Sequence, residues 1–254
     1  MNLILLQPTL RAGDTNHNFD TIEALLANTQ EPIAAEDIVV LPEHFTSSGD
    51  PGGYAEYLQE LWCIAGCAIV GGSHHRTVGG KRMNVGAVLN EHGREAGNYS
   101  KLRPYSSERE KVTPGDALGE FRINGRNLLI VVCADFWYSD IILQTKTLPD
   151  MILVPSFSVS RKPSAEYSRS LWRHLAVTRA YEFGVFVGIS DWSADSSLPQ
   201  NRTCGVGGFA DPTQIEPEKF FQPIKSGGIS LFKLDFDALE EFRKDRRTRG
   251  FFWR

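Results

Sequence analysis

Leu128-Leu129-Ile130-Val131-Val132-Cys133-Ala134-Asp135 carries five branched apolar residues directly into a thiol, a small residue and a carboxylate. A short run with no polar side reads as a strand covered on both faces, which is the habit of sheets in α/β proteins. Cys133 then stands where the strand leaves its sheet, the place where such folds keep their binding and reacting groups. Taken alone, Cys133 reads equally well as a core cysteine behaving as a small hydrophobe. The rest of the chain has to decide.

Working outward, strand-like and helix-like segments alternate. Met1 to Gln7 is a first strand, ended at Pro8, with no basic start and too short an apolar run for a secretion signal. Phe19, Ile22, Leu25 and Leu26 recur at helical spacing, and Asp37 to Pro42 is a second short apolar run. Tyr54 to Gly66 reads as helix, Ala68 to Ser73 as strand, and Met83 to Asn90 with Ala96 to Lys101 as a hairpin around Glu91-His92-Gly93. After Cys133 the pattern predicts a helix near Ile141 to Thr147, a strand at Met151 to Val154 and a long helix from Ala165 to Phe183. Strands at Val185 to Ser190, Gly205 to Ala210 and Ile229 to Leu234, and a helix over Leu239 to Lys244, complete it. No repeat or linker divides residues 1–254, so the pattern predicts one α/β domain with helices covering the sheets.

Composition narrows the partners. The chain has 254 residues, 41% of them hydrophobic, and a formal net charge of -4. That balance gives no general attraction for nucleic acid or anionic lipid, and no stretch approaches the roughly 18 apolar residues that span a membrane. A small-molecule partner is expected. Cys63, Cys67, Cys133 and Cys204 lack the density of a disulfide scaffold, and Cys63 with Cys67 reads as two neighbours on one helix face, which suits a reducing cytoplasm.

Three strand ends carry reactive groups. Glu43 follows Val39-Val40-Leu41-Pro42, Lys101 follows Asn98-Tyr99-Ser100, and Cys133 follows its own strand. Strands of one sheet end along a common rim, so the three are expected to converge there.

These segments resemble a known family. "LPEHF" around Glu43, "YSKLRPYSSEREKVTPG" around Lys101 and "VVCAD" around Cys133 are similar, in order and separation, to the three signature blocks of the nitrilase superfamily, the carbon-nitrogen hydrolases. "VGGS" at Val70–Ser73, "MNVGAVLNEHG" at Met83–Gly93, "DMILVPSF" at Asp150–Phe157 and "GGFADP" at Gly207–Pro212 extend the resemblance over nearly the whole chain.

The resemblance implies a four-layer α-β-β-α sandwich and an amidase-type Cys-Glu-Lys hydrolase without cofactor or metal, commonly a homodimer. It places Glu43, Lys101 and Cys133 at the catalytic positions and Glu108 at that of a second glutamate. Glu43 is then the base that the weakly acidic thiol requires. The Lys101 ammonium and the backbone N–H of Ala134 become donors for the oxyanion. Nitrile, carbamoyl or acyl-transfer chemistry, or a non-catalytic binding protein, are the alternatives on the same fold.

One departure bears on the substrate. Many amidases of this kind have arginine at the fourth position after the cysteine; this chain has Trp137. A flat aromatic there favours an apolar or aromatic acyl group over a dicarboxylate. His44 either shapes the pocket or faces solvent, and Phe157, Trp172 and Trp192 either line a cleft or pack. His74-His75 is not expected to bind metal, because neighbours on a strand point to opposite faces. The tail mixes Arg246, Arg247 and Arg249 with Phe251, Phe252 and Trp253, and is expected to pack over a neighbouring element or across a subunit interface.

Overall fold

Alternate residues of the buried strands face two different cores, and that alternation builds the layers. The computed structural model describes residues 1–46, 53–160, 162–199 and 201–254. Its first part runs β1 (Asn2–Gln7), α1 (Thr15–Ala27), β2 (Ile38–Val40), α2 (Gly53–Ala65), β3 (Ala68–Val70), β4 (His74–Val78), β5 (Lys81–Leu89) and β6 (Glu95–Ser100). Next come β7 (Gly119–Ile123), β8 (Arg126–Ile130), α3 (Ser139–Leu143), β9 (Met151–Pro155), β10 (Val159–Ser160), α4 (Ala165–Phe183) and β11 (Phe186–Ser190). The chain closes with β12 (Arg202–Thr203), β13 (Gly208–Ala210), β14 (Phe221–Pro223), β15 (Gly228–Lys233) and α5 (Phe236–Thr248).

A seven-stranded sheet has the order β15-β1-β2-β3-β5-β4, with β6 also on β5, and a six-stranded sheet the order β14-β13-β11-β9-β8-β7. β1, β2 and β3 are parallel, as are β8, β9 and β11, so each sheet has a parallel centre and antiparallel margins. Leu3 and Leu5 of β1, Ile38 and Val40 of β2, Leu128 and Ile130 of β8 and Leu153 of β9 meet between the sheets. The intervening residues face outward: Ile4, Leu6 and Val39 pack against Phe19, Ile22 and Leu58 of α1 and α2. Leu129, Ile152 and Val187 pack against Trp172, Ala176 and Ala180 of α4. The result is the expected four-layer α-β-β-α sandwich, because parallel neighbours need crossovers and the crossover helices must cover the outer faces.

Several local expectations are corrected. The predicted helix at Ile141 to Thr147 is the shorter α3, whose end is closed by Gln144 N and Thr145 N donating to the carbonyls of Ile141 and Ile142. Cys63 and Cys67 do not share a helix face, since Gly66 adopts φ 66° and ends the helix before Cys67. The final helix is longer than Leu239–Lys244; Asp235 caps it by accepting from Ala238 N. Strand β7 went unpredicted although Asn124-Gly125, both at positive φ (50° and 74°), joins it to β8 by the tight turn such a pair favours. The tail packs on its own chain, Trp253 Nε1 donating to the Phe183 carbonyl at 2.9 Å. Among the described residues no helix is long and apolar enough to cross a membrane.

Candidate active site

Glu43, Lys101 and Cys133 do converge, though not along the rim of one sheet. Glu43 and Lys101 follow β2 and β6 of the seven-stranded sheet, while Cys133 follows β8 of the other. The cluster therefore forms where the two sheets meet at one edge of the sandwich.

Cys133 has φ 47° and opens a tight helical turn over Cys133–Trp137. That backbone region is unfavourable for a residue with a Cβ, by about 1–3 kcal/mol, and persists only where neighbours enforce it. Asp135 supplies the enforcement. It is 1% exposed, its N–H donates to the Val132 carbonyl at 2.9 Å, and its carboxyl accepts from Leu102 N at 2.9 Å and Arg103 N at 2.7 Å. One carboxyl thus ties the turn after the thiol to the loop after Lys101. Burial raises its pKa to about 6 against those bonds.

Glu43 is held through its backbone. Its N–H donates to Ser156 O at 3.2 Å and its carbonyl accepts from Trp192 Nε1 at 2.7 Å, while His44 N donates to Ser73 O at 2.6 Å. Gly72 lies so close that any Cβ there would overlap the Pro42 carbonyl oxygen. Lys101 N donates to Asn84 O at 2.9 Å, and its carbonyl accepts from Gly115 N at 2.8 Å.

The side chains form one network. Lys101 Nζ lies 3.0 Å from Glu43 Oε1 and 2.7 Å from Glu108 Oε2. Asn84 Nδ2 donates to Glu43 Oε1 at 2.7 Å and to Glu108 Oε1 at 3.1 Å. His75 Nε2 pairs with Glu108 Oε1 at 2.7 Å, and His44 Nε2 stands 3.6 Å from Glu43 Oε1. Glu43 is 1% exposed and Lys101 4%. Burial opposes the Lys101 charge, but Glu43, Cys133 and Glu108 hold its pKa above the usual lysine range. Burial likewise opposes ionisation of Glu108, and its bonds to His75 and Lys101 outweigh this and hold it below the usual carboxylate range. For Cys133, burial first and the Glu43 charge second push the thiol well up, against Lys101. A thiol shifted in that direction is a weak nucleophile unless a base takes its proton. Its half-buried Sγ lies 3.7 Å from the Phe157 carbonyl.

The remaining predicted residues divide. Ala134 and Trp137 line a cavity beside Cys133, and Phe157 borders it as well. Trp137 is 42% exposed and meets Trp172 edge-on at 5.7 Å. His44, at φ 59°, faces the cluster rather than solvent, and burial keeps it neutral with a pKa of about 4. Trp192 is buried and acts through the Glu43 backbone. Asn84, His75 and Asp135 were missed. Strand alternation carried the signal for two of them, since it makes Asn84 a polar residue in an apolar run and turns only one of His74 and His75 toward Glu108.

His44, His75 and Glu108 bring ligand-type atoms within 4.8 Å of one another. Glu108, however, is already engaged by the Lys101 ammonium through Oε2 and by His75 Nε2 through Oε1, each at 2.7 Å. The set reads as an ion-pair and hydrogen-bond network.

The layers, with a thiol, two carboxylates and an ammonium at their edge, define the nitrilase-type sandwich. A profile of the carbon-nitrogen hydrolase family matches residues 4–194, and the chain belongs to that family. No curated protein matches it in sequence. Solved structures share the fold. Saccharomyces cerevisiae Nit3, of branch 10 of the nitrilase superfamily, aligns with TM-score 0.81 at 19% identity, covering 96% of this chain and 93% of that one. XC1258 from Xanthomonas campestris, a CN-hydrolase superfamily protein with an arsenic adduct in its active site, gives 0.80 at 21%, covering 98% and 95%. An amidase from Nesterenkonia sp. gives 0.73 at 21%, covering 98% and 96%.

Proposed function

We propose that the chain is an amidase that cleaves a non-peptide amide of a small molecule through a thioester on Cys133. The observation that carries this reading is the Glu43–Lys101–Glu108 chain, its first two members buried, with contacts of 3.0 and 2.7 Å, beside a thiol at positive φ. Cys133 gives its proton to Glu43 as the sulfur attacks the amide carbon. The oxyanion is met by the Lys101 ammonium and the Ala134 N–H, each such donor lowering the barrier by about 3 kcal/mol. Glu43 returns the proton to the nitrogen as the C–N bond breaks, leaving the thioester. Water then loses a proton to Glu43, attacks the thioester and releases the acid, and Glu43 reprotonates the sulfur.

Glu108 keeps Lys101 aimed at the oxyanion. The same reading makes residues 1–254 one catalytic domain, working as a homodimer in a reducing cytoplasm that suits its free cysteines. Mass spectrometry tests the chemistry: amide substrate should leave an acyl adduct on Cys133, and amine release should vanish in Cys133→Ala. Turnover persisting in Cys133→Ala would refute it. Hydroxamate formed in the presence of hydroxylamine would report acyl transfer, and light scattering would report the dimer.

A further inference from the structure

Cys133 borders two cavities of different chemistry. One, of about 430 Å³, is walled by Trp137, Tyr138, Leu171 and Trp172. The other, of about 470 Å³, holds the charged groups, Glu43, Lys101 and Glu108, with His44, His75 and Ser107 beside them and Leu198 and Pro199 also in its wall. Tyr105, Phe157 and Val159 border both, so the sulfur stands at the junction. Each cavity by itself reaches the size of a small-molecule site.

Building on the amidase reading, we propose that the substrate is an N-substituted amide: an aromatic or bulky apolar acyl group in the first cavity and a short polar amine, neutral or cationic, in the second. The assignment of ends follows from Glu43. It lines only the polar cavity and has to reach the departing nitrogen, so the amine leaves on that side and the acyl group lies across the sulfur among the aromatic rings. Ammonia would leave almost all of the polar cavity to water. Its walls carry two carboxylates against one ammonium, with His44 neutral beside them. That surplus of negative charge admits a hydroxyl or a second ammonium on the amine and disfavours a carboxylate.

The test is steady-state hydrolysis by the full chain of phenylacetamide, N-(2-hydroxyethyl)phenylacetamide, N-(2-aminoethyl)phenylacetamide and N-phenylacetylglycine, with the matched butyryl series. The hydroxyethyl and aminoethyl amides should exceed the primary amide in kcat/KM by about tenfold or more, the increment a few well-placed contacts supply, and the glycine conjugate should fall below them. Phenylacetyl amides should exceed butyryl ones. Ser107→Phe, a change at an exposed position in the polar cavity, should bring the ratio of hydroxyethyl to primary amide toward one. Primary amides turned over as fast as substituted ones, with a thioester on Cys133, would overturn this inference and leave the amidase reading standing. A preference for butyryl amides would overturn the acyl half. No turnover and no adduct from either series would overturn both readings.

Discussion

Lys101→Met removes one charge from a set of three, two of them buried and Glu108 partly so, while keeping most of the side-chain volume. Lys101 Nζ lies 3.0 Å from Glu43 and 2.7 Å from Glu108, with only 4% of the lysine exposed. At an effective dielectric near 20 each contact is an attraction of about 5–6 kcal/mol before desolvation is counted. Breaking such a pair from one side strands the partner charges, and the net loss is about 3–5 kcal/mol. For a domain of this size that shifts Tm by about 6–20 °C. On the proposed mechanism turnover should fall by about 10²–10³ in kcat, the cost of losing one oxyanion donor. The two effects separate in the double variant Lys101→Met/Glu108→Gln. Neutralising Glu108 should recover at least about 1 kcal/mol of stability, because one stranded carboxylate is gone, and no activity. Urea unfolding with unchanged slope, and the rate of acyl-adduct formation, supply the readouts. A Lys101→Met protein within about 0.5 kcal/mol of the parent, or a double variant that regains turnover, would refute the reasoning.

Protonation of His44 should destabilise the fold in mild acid. Burial lowers its pKa from 6.5 to about 4, so its contribution is complete above pH 6.5 and is lost as pH falls toward 4. Between pH 7 and pH 5 the parent should lose about 2 kcal/mol more than His44→Gln in urea unfolding; equal losses would show that His44 is solvated. Asp135 and Asp191, both raised to about 6 by burial, act in the opposite direction and cancel in that comparison. Gly72→Ala drives a methyl into the Pro42 carbonyl next to Glu43, so a thermal melt should show a loss of about 1–3 kcal/mol or more together with reduced turnover, and an unshifted melt contradicts the packing described. Asp135→Asn replaces an acceptor shared by Leu102 N and Arg103 N with a group that is half donor. It should lose about 1–3 kcal/mol and slow adduct formation, whereas a variant as stable and as fast as the parent would remove Asp135 from the positioning of Cys133.

The local pattern of the chain determined a good deal. Runs such as Leu128–Val132 and Met151–Val154 are apolar on both faces, and only a sheet covered on both sides satisfies them. The ordered blocks around Glu43, Lys101 and Cys133 were enough to name the family, since each block couples a strand with the group at its end. Two-residue alternation also contained the placement of Asn84 and His75, although spacing alone does not say which face is the site.

Tertiary structure decided the rest, because it depends on distances between segments remote in the chain. That Glu43 and Lys101 leave one sheet and Cys133 the other follows from how the sheets pack, which no single strand encodes. The bonds from Asn84 to both glutamates span residues 43 to 108, and the clamp of Asp135 on the Lys101 loop spans residues 101 to 135. Burial by the assembled layers pushes the Cys133 thiol up and the His44 imidazole down to about 4. The division of the space around the sulfur into an aromatic cavity and one that holds the charged groups also exists only once both sheets are in place. A side chain's type is local, but its partners and its dielectric surroundings are properties of the packed whole.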